Sequence, residues 1–308
     1  MSELYDRVAL IGLGLIASSI AHGIRRANLA HEIVGYAKSE ASRTTAREIG
    51  LCDVVTDTAA DAVKGADLVI LCVPVGVMGG IAVEIAPHLM DGATVSDVGS
   101  VKRAVIDAVG PALPDNVHFI PAHPIAGTEK SGPTSGFAEL FDNRWCLIVP
   151  AGENVDRVAV SRLTNFWEGL GSNVNVMDAD HHDLVLSVTS HAPHLIAYTM
   201  VGVADDLARV SESEVINYSA SGFRDFTRIA ASDPTMWRDV FLNNKEATLE
   251  VLGRFTEELF ALQRAIRTGD GELLHAYFTR TRALRRGIVE AGQDTEAANF
   301  GRQDGGEN

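Results

Sequence analysis

Along the first half of the chain, short β-rich apolar runs alternate with segments of helical period. Residues 8–11, 32–36, 68–73 and 94–97 read as strands, and residues 16–27, 40–49, 77–89 and 101–109 between and after them read as helices. Further short strands are expected at 118–120 and 145–149. Strand and helix in alternation predict a parallel sheet covered by helices on both faces, an α/β arrangement of the Rossmann type. From Asp178 the pattern changes to long helices over about 180–208, 234–268 and 270–290. The expected organisation is therefore an α/β domain over residues 1–177, an all-helical domain over 178–290, and a polar, Gly-rich flexible tail over 291–308.

Two details of the helical half bear on chemistry. Pro193 lies inside the first long helix, where it removes a backbone donor and crowds the preceding turn, so a kink is expected beside Ser190, His191 and His194. Asp233-Pro234 forms a helix start, with Asp as N-cap and Pro at the first position, which leaves Arg228 in the segment leading into that helix.

Composition narrows the partners. The formal charge of −15 over 308 residues offers no broad basic field, which disfavours nucleic acid and anionic membranes, so an anionic substrate must be held by a few placed cations. The N-terminus shows no targeting pattern, no run approaches the ~20 apolar residues of a membrane span, and no second catalytic domain is expected. Cys52, Cys72 and Cys146 lack metal or redox spacing and read as buried thiols in a reducing compartment, the cytoplasm.

The clearest chemical motif is Gly12-Leu-Gly14-Leu15-Ile16-Ala17, which follows a strand and opens a helix. That context suits a dinucleotide: Gly12 makes the turn, Gly14 admits the pyrophosphate, and Ala17 allows close packing. Cys72-Val73-Pro74 at the end of another strand reads either as a contact on the nicotinamide side or as a simple strand terminator. After the second strand, Ala37 stands where NAD sites usually carry an acidic residue for the ribose hydroxyl. Lys38, Ser39 and Arg43 nearby could accept the 2′-phosphate of NADP, or Lys38 and Arg43 could be solvated helix-start charges. The cofactor is NAD or NADP, with NADP slightly favoured.

His123-Pro-Ile-Ala-Gly-Thr128-Glu129-Lys-Ser-Gly supplies a histidine in what reads as a Gly/Pro-rich loop near the cofactor, the place for a general base. Phe223-Arg224-Asp-Phe-Thr-Arg228 supplies an arginine able to hold a carboxylate through two parallel hydrogen bonds. His191-x-x-His194 lacks a third ligand at supporting spacing, so no metal site is expected. His181-His182 reads as a surface feature at a helix start, and Trp237 as core. Cofactor turn, base and anion clamp together specify an oxidoreductase of a small acid.

These strings, with Asp97-Val-Gly-Ser100-Val-Lys102, Asp178-Ala-Asp-His-His-Asp183 and Ser190-His191-Ala-Pro193-His194, in this order over about residues 7–290, resemble the prephenate/arogenate (cyclohexadienyl) dehydrogenases of tyrosine biosynthesis. The resemblance implies NAD(P)-dependent oxidative decarboxylation of prephenate or arogenate, a helical domain that dimerises, and a site between the two domains. It implies His123 and Ser100 as catalytic, with Arg228 on the ring carboxylate and His194, Ser190, Thr128 and Glu129 as substrate contacts. Ala17 and Ala37 depart from the Gly and Asp of many members. Two rival readings share the cofactor turn. A 3-hydroxyacid dehydrogenase or imine reductase would need Lys or Asp where this chain has His191 and His194, and a non-catalytic dinucleotide sensor would need neither His123 nor Arg228.

Overall fold

The computed structural model describes residues 4–128, 130–152, 155–206 and 221–290. Six parallel strands form the main sheet: β1 (Tyr5–Ile11), β2 (Ala30–Tyr36), β3 (Val54–Val55), β4 (Leu68–Leu71), β5 (Thr94–Asp97) and β6 (His118–Phe119), in the order β3-β2-β1-β4-β5-β6. The crossovers are helical: α1 (Leu15–Ala27), α2 (Glu40–Glu48), α3 (Ala59–Ala62), α4 (Val75–Ile85) and α5 (Arg103–Val109). On β1, Val8 and Leu10 join the core on one face while Ala9 and Ile11 join the core on the other, and all four are buried. Successive side chains of a strand point to opposite faces, so this doubly covered strand has to be apolar throughout.

A second sheet follows, with β7 (Ala122–Pro124) antiparallel to β8 (Trp145–Ile148) and β8 parallel to β9 (Asn173–Val176). Here the structure corrects the reading of His123 as a loop residue. His123 sits in β7 opposite Leu147, 8% exposed, because Ala122 and Pro124 pair with Ile148 and Cys146. α6 (Arg157–Gly169) links β8 to β9 and buries Phe166 and Trp167 against the first core face.

The helices that follow differ from the pattern in two places. The long helix expected over 180–208 is α7 (Ala179–Leu186) and α8 (Ala192–Asp206), joined by a wider π turn over Ser187–His191 in which the Ala192 N–H reaches the Ser187 carbonyl. Pro193 offers no N–H to the ladder just beyond that turn. α9 (Ser221–Thr227) is followed by a 3₁₀ turn over Arg228–Ala231. The helix expected over 234–268 is two, α10 (Pro234–Asn243) and α11 (Lys245–Thr268), because the Asn244 side chain bonds to α7 and the π turn. Asp233 caps α10 through the Met236 N–H at 2.7 Å.

α12 (Gly271–Glu290) ends the described chain. The described residues divide into two compact units, one ending at Leu249 and one beginning at Glu250, so α7 to α10 belong with the sheets. The expected tail over 291–308 lies outside the described residues. Contrary to the expectation that no run approaches the ~20 apolar residues of a span, Ala179–Asp206 is long enough and contains an 18-residue window with a mean hydropathy of 1.2. Its polar residues His182, Asp183, Ser187 and His191 are nevertheless buried within the first unit.

Candidate active site

The β1–α1 turn is built from backbone. Gly12 has φ +102°, and a Cβ there would lie 2.6 Å from the Cys72 carbonyl oxygen and 2.9 Å from Val73 Cγ1. The turns after β1 and β4 therefore touch, side by side at the carboxyl edge of the sheet where the strand order diverges, the crevice that takes a ligand in such sheets. Gly14 precedes α1, and a Cβ on it would meet nothing within 4 Å. The N–H groups of Leu15, Ile16 and Ala17 lie in the first helical turn, before any helical acceptor. Ala17 is fully buried, while Val73 is half-buried and Pro74 begins the turn into α4. An open Gly14 and unpaired first-turn donors fit a dinucleotide pyrophosphate.

At the end of β2, Ala37 follows Tyr36. Arg43 folds back over this turn, giving Nη1 to the carbonyls of Ala37 at 2.8 Å and Lys38 at 3.0 Å, with Asp57 3.3 Å from Nε. Ser39 accepts the Ser42 N–H as the N-cap of α2 at 3.5 Å, and Lys38 is exposed. The reading of Arg43 as a solvated charge therefore fails, because its side chain is 14% exposed and engaged by three oxygens.

Past β5, buried side chains form a ring. Lys102 and Asp97, both without solvent exposure, form an ion pair, and Lys102 Nζ also donates to the Ala122 carbonyl at 2.7 Å. Burial pushes Lys102 down and Asp97 up, and the attraction between them opposes both shifts. Asp183 accepts the Lys102 N–H at 2.8 Å on Oδ1 and the Arg103 N–H at 3.0 Å on Oδ2. His182 Nδ1 lies 2.8 Å from Asp183 Oδ1, and His182 Nε2 lies 2.9 Å from His123 Nδ1. Burial, then the neighbouring His182 and Lys102, hold His123 well below the ordinary imidazole range, so it is neutral at physiological pH. Burial works against ionisation of Asp183, yet the bonds from His182 and the two backbone N–H groups hold its carboxyl below the usual range.

Asn244 Nδ2 braces this ring, 2.9 Å from both the Asp183 carbonyl and Ser187 Oγ and 3.1 Å from His191 Nδ1. Burial pushes His191 down to about 4. Ser100, half-buried three residues past β5, turns its backbone toward the His191 ring. One helical turn after the π turn, His194 donates Nδ1–H to the Ser190 carbonyl at 2.8 Å and stacks on Trp237 with ring centroids 3.7 Å apart. Burial lowers the His194 pKa, and the nearby Arg228 charge lowers it further. Arg228 is exposed, whereas Arg224, 71% exposed, contacts Asp225 at 3.5 Å. Thr128 is exposed and takes the Lys130 N–H at 3.2 Å. Glu129 lies outside the described residues.

The structure thus brings Arg228, His194 and Ser190 together and places His123 in the buried ring. The sequence reading missed His182, Asp183, Lys102 and Asn244. It placed His182 on the surface, yet His182 is fully buried; only His181 of that pair is exposed. The available signal was helical spacing: with Asp178 as N-cap, His182 and Leu186 share a face four residues apart, and the apolar Leu186 marks that face as inward.

Sequence models of one family cover this chain: the prephenate dehydrogenase nucleotide-binding domain matches residues 20–176 and the prephenate dehydrogenase dimerization domain matches 178–280. A cyclohexadienyl dehydrogenase of Zymomonas mobilis is 42% identical over 92% of this chain and 96% of its own length. A prephenate dehydrogenase of Bacillus subtilis is 33% identical over 94% and 77%. Among solved structures, prephenate dehydrogenase from Aquifex aeolicus in complex with hydroxyphenyl propionate and NAD+ superposes with a TM-score of 0.84 at 33% identity, over 92% of this chain and 98% of that one.

Proposed function

The chain belongs to the prephenate dehydrogenase family and is an NAD-dependent dehydrogenase, and from that premise we propose which residues carry its reaction and on which substrates. The substrates are prephenate, converted to 4-hydroxyphenylpyruvate, and arogenate, converted to tyrosine. Each is a cyclohexadienol with a ring carboxylate opposite a ring hydroxyl. Gly12, Gly14 and the first-turn N–H groups of Leu15, Ile16 and Ala17 hold the dinucleotide, with Val73 and Pro74 beside it. Bound there, the nicotinamide supplies the hydride acceptor.

His123 accepts the hydroxyl proton as the hydroxyl-bearing carbon is oxidised. The carbon–carboxylate bond then breaks, its electron pair enters the ring, carbon dioxide leaves, and the proton returns to the phenolic oxygen. A neutral imidazole is needed for the first event, and the observation that carries the assignment is the buried, uncharged His123 with Nδ1 already engaged and no hydrogen bond at Nε2 among the described residues. Ser100 orients the ring hydroxyl. Arg228 takes the ring carboxylate, and His194, with Ser190 fixing its ring, faces the substrate side chain, with Thr128 and Glu129 on the loop after β7. The His194 orientation supports this: Nδ1 is spent on Ser190, and Nε2 is left for a ligand.

Ala37 removes the acidic group that excludes a 2′-phosphate, which supports use of NADP as well as NAD. Segment 178–290 carries dimerisation, supported by Phe260, Ile266 and Leu284, each at least 63% exposed on α11 and α12. Free cysteines, Cys52 and Cys146 buried and Cys72 half-buried rather than buried as expected, suit the cytoplasm. In steady-state assays with both substrates and both cofactors, His123→Asn keeps cofactor affinity and lowers kcat by roughly 10²- to 10⁴-fold. In the same assays Arg228→Lys raises KM, because the charge survives but the planar fork does not. Unchanged turnover in His123→Asn rejects the base assignment.

A further inference from the structure

Five groups close a loop around the base. Lys102 Nζ holds the carbonyl of Ala122, the residue before His123, and the Lys102 N–H holds Asp183, which is 2.8 Å from His182 Nδ1; His182 Nε2 in turn is 2.9 Å from His123 Nδ1. We propose that His182 and Asp183 are positioning residues that fix His123 as the tautomer protonated on Nδ1, reserving the Nε2 lone pair for the substrate proton. The inference rests on reading His123 as the base.

The assignment follows from counting donors. Asp183 accepts two backbone N–H groups, one on each oxygen, as an ionised carboxylate does. An ionised carboxylate only accepts, so His182 Nδ1 donates to it. His182 has no solvent exposure and is neutral, so its Nε2 carries a lone pair. Two lone pairs do not face each other at 2.9 Å, so His123 Nδ1 carries the proton in that bond, and its Nε2 is bare.

Each link is held from outside the chain of rings. The two N–H groups on Asp183 belong to the residues that open α5, and Asn244 holds the Asp183 carbonyl at 2.9 Å. The register of β7 against β8 and the Lys102 bond to Ala122 fix the backbone of His123. Packing alone would be served equally by either tautomer of the histidine pair. A carboxylate held by two backbone donors is what selects one of them.

Long-range proton–nitrogen correlation spectra of the wild-type protein, labelled at histidine and assigned with His123→Asn and His182→Gln, read the tautomers without any reaction. The expected spectrum has His123 protonated at Nδ1 and bare at Nε2; an Nε2-protonated His123 overturns the proposal. In steady-state assays, His182→Leu is expected to lower kcat by roughly 10²-fold with the substrate KM held within about 3-fold, since a mis-set base loses turnover rather than binding. His182→Gln, whose carbonyl still accepts from His123, is expected to recover most of that loss. In the His123→Asn background, His182→Leu is expected to cost nothing further. Full turnover in folded His182→Leu, or the same loss with and without His123, overturns the proposal. A base reading that fails shows itself separately, as unchanged turnover in His123→Asn, while the spectra still decide the tautomer.

Discussion

The two walls of the site are made of different materials. Around Gly12 and Gly14 the working surface is backbone, N–H groups and a turn whose shape leaves no room for a side chain on one side and open space on the other. Around His123 the working surface is side chain: two buried histidines and the carboxylate of Asp183, with the buried Asp97–Lys102 pair behind them. A backbone wall is defined by sterics and tolerates any residue that keeps its dihedrals and clearance. A wall of buried polar side chains depends on each member, because removing one leaves its partner desolvated and unpaired. The expected response to substitution therefore differs in kind between the two.

The largest effect should come from the buried pair. Lys102→Met leaves Asp97 and the Ala122 carbonyl without their cation, in a place water does not reach, and is expected to cost about 3–5 kcal/mol of unfolding free energy. Chemical denaturation of Lys102→Met, Asp97→Asn and the double variant checks it: the double variant should lose clearly less than the sum of the singles. Additive losses would show that the pair does not act as a unit, and the contrast between the two walls would weaken.

The glycine turn sharpens the contrast from the other side. Gly12→Ala places a Cβ 2.6 Å from the Cys72 carbonyl at φ +102°, so it is expected to destabilise by roughly 1–3 kcal/mol. Gly14→Ala meets nothing within 4 Å, and Gly14 has φ −95°, so its stability should stay within about 0.5 kcal/mol of wild type. Its cofactor affinity should nonetheless fall, since the added methyl occupies the approach of the pyrophosphate. Thermal unfolding with and without NAD separates the two variants. If Gly14→Ala binds NAD at full affinity, the open space is not the cradle.

The same contrast explains what could be read from the chain. The backbone wall was legible because its requirement is local: a glycine that needs φ above zero and a helix starting three residues later leave a contiguous signature. The parallel sheet and the cap at Asp233 follow from similarly short patterns, whereas the grouping of Ser190, His194 and Arg228 came from the family resemblance. The side-chain wall joins residues about 20 to 80 positions apart, with Lys102, His123 and the adjacent His182 and Asp183 on three different stretches. The four-residue spacing of His182 and Leu186 marks His182 as inward, but nothing in it announces that the ring it meets is His123. His123 itself was misplaced in a loop because β7 is three residues long, and its Pro124 imitates loop composition. Asn244, which divides one expected helix into two, has no sequence signal at all, since Asn is tolerated within a helix and acts here only through partners on α7 and the π turn.

The smallest expected effect lies at the edge of the backbone wall, where a side chain enters it. Arg43 spends both Nη1 hydrogens on the carbonyls of Ala37 and Lys38 and turns Nε toward Asp57. A guanidinium has five N–H groups, so the Nη2 pair is what remains for a phosphate on the adenosine ribose. Arg43→Ala should therefore weaken NADP more than NAD, but only by a few-fold, because Arg43 serves chiefly to shape the turn that Ala37 opens. Lys38→Ala is the necessary comparison, since Lys38 is exposed and free to swing toward the same phosphate. Titration of both cofactors into both variants decides the assignment: a selective loss in Arg43→Ala puts the contact on the anchored guanidinium, and a selective loss in Lys38→Ala puts it on the mobile ammonium. Equal weakening of NAD and NADP in Arg43→Ala would mean that the arginine only holds the turn, and the 2′-phosphate would then rest on Lys38 and Ser39 alone.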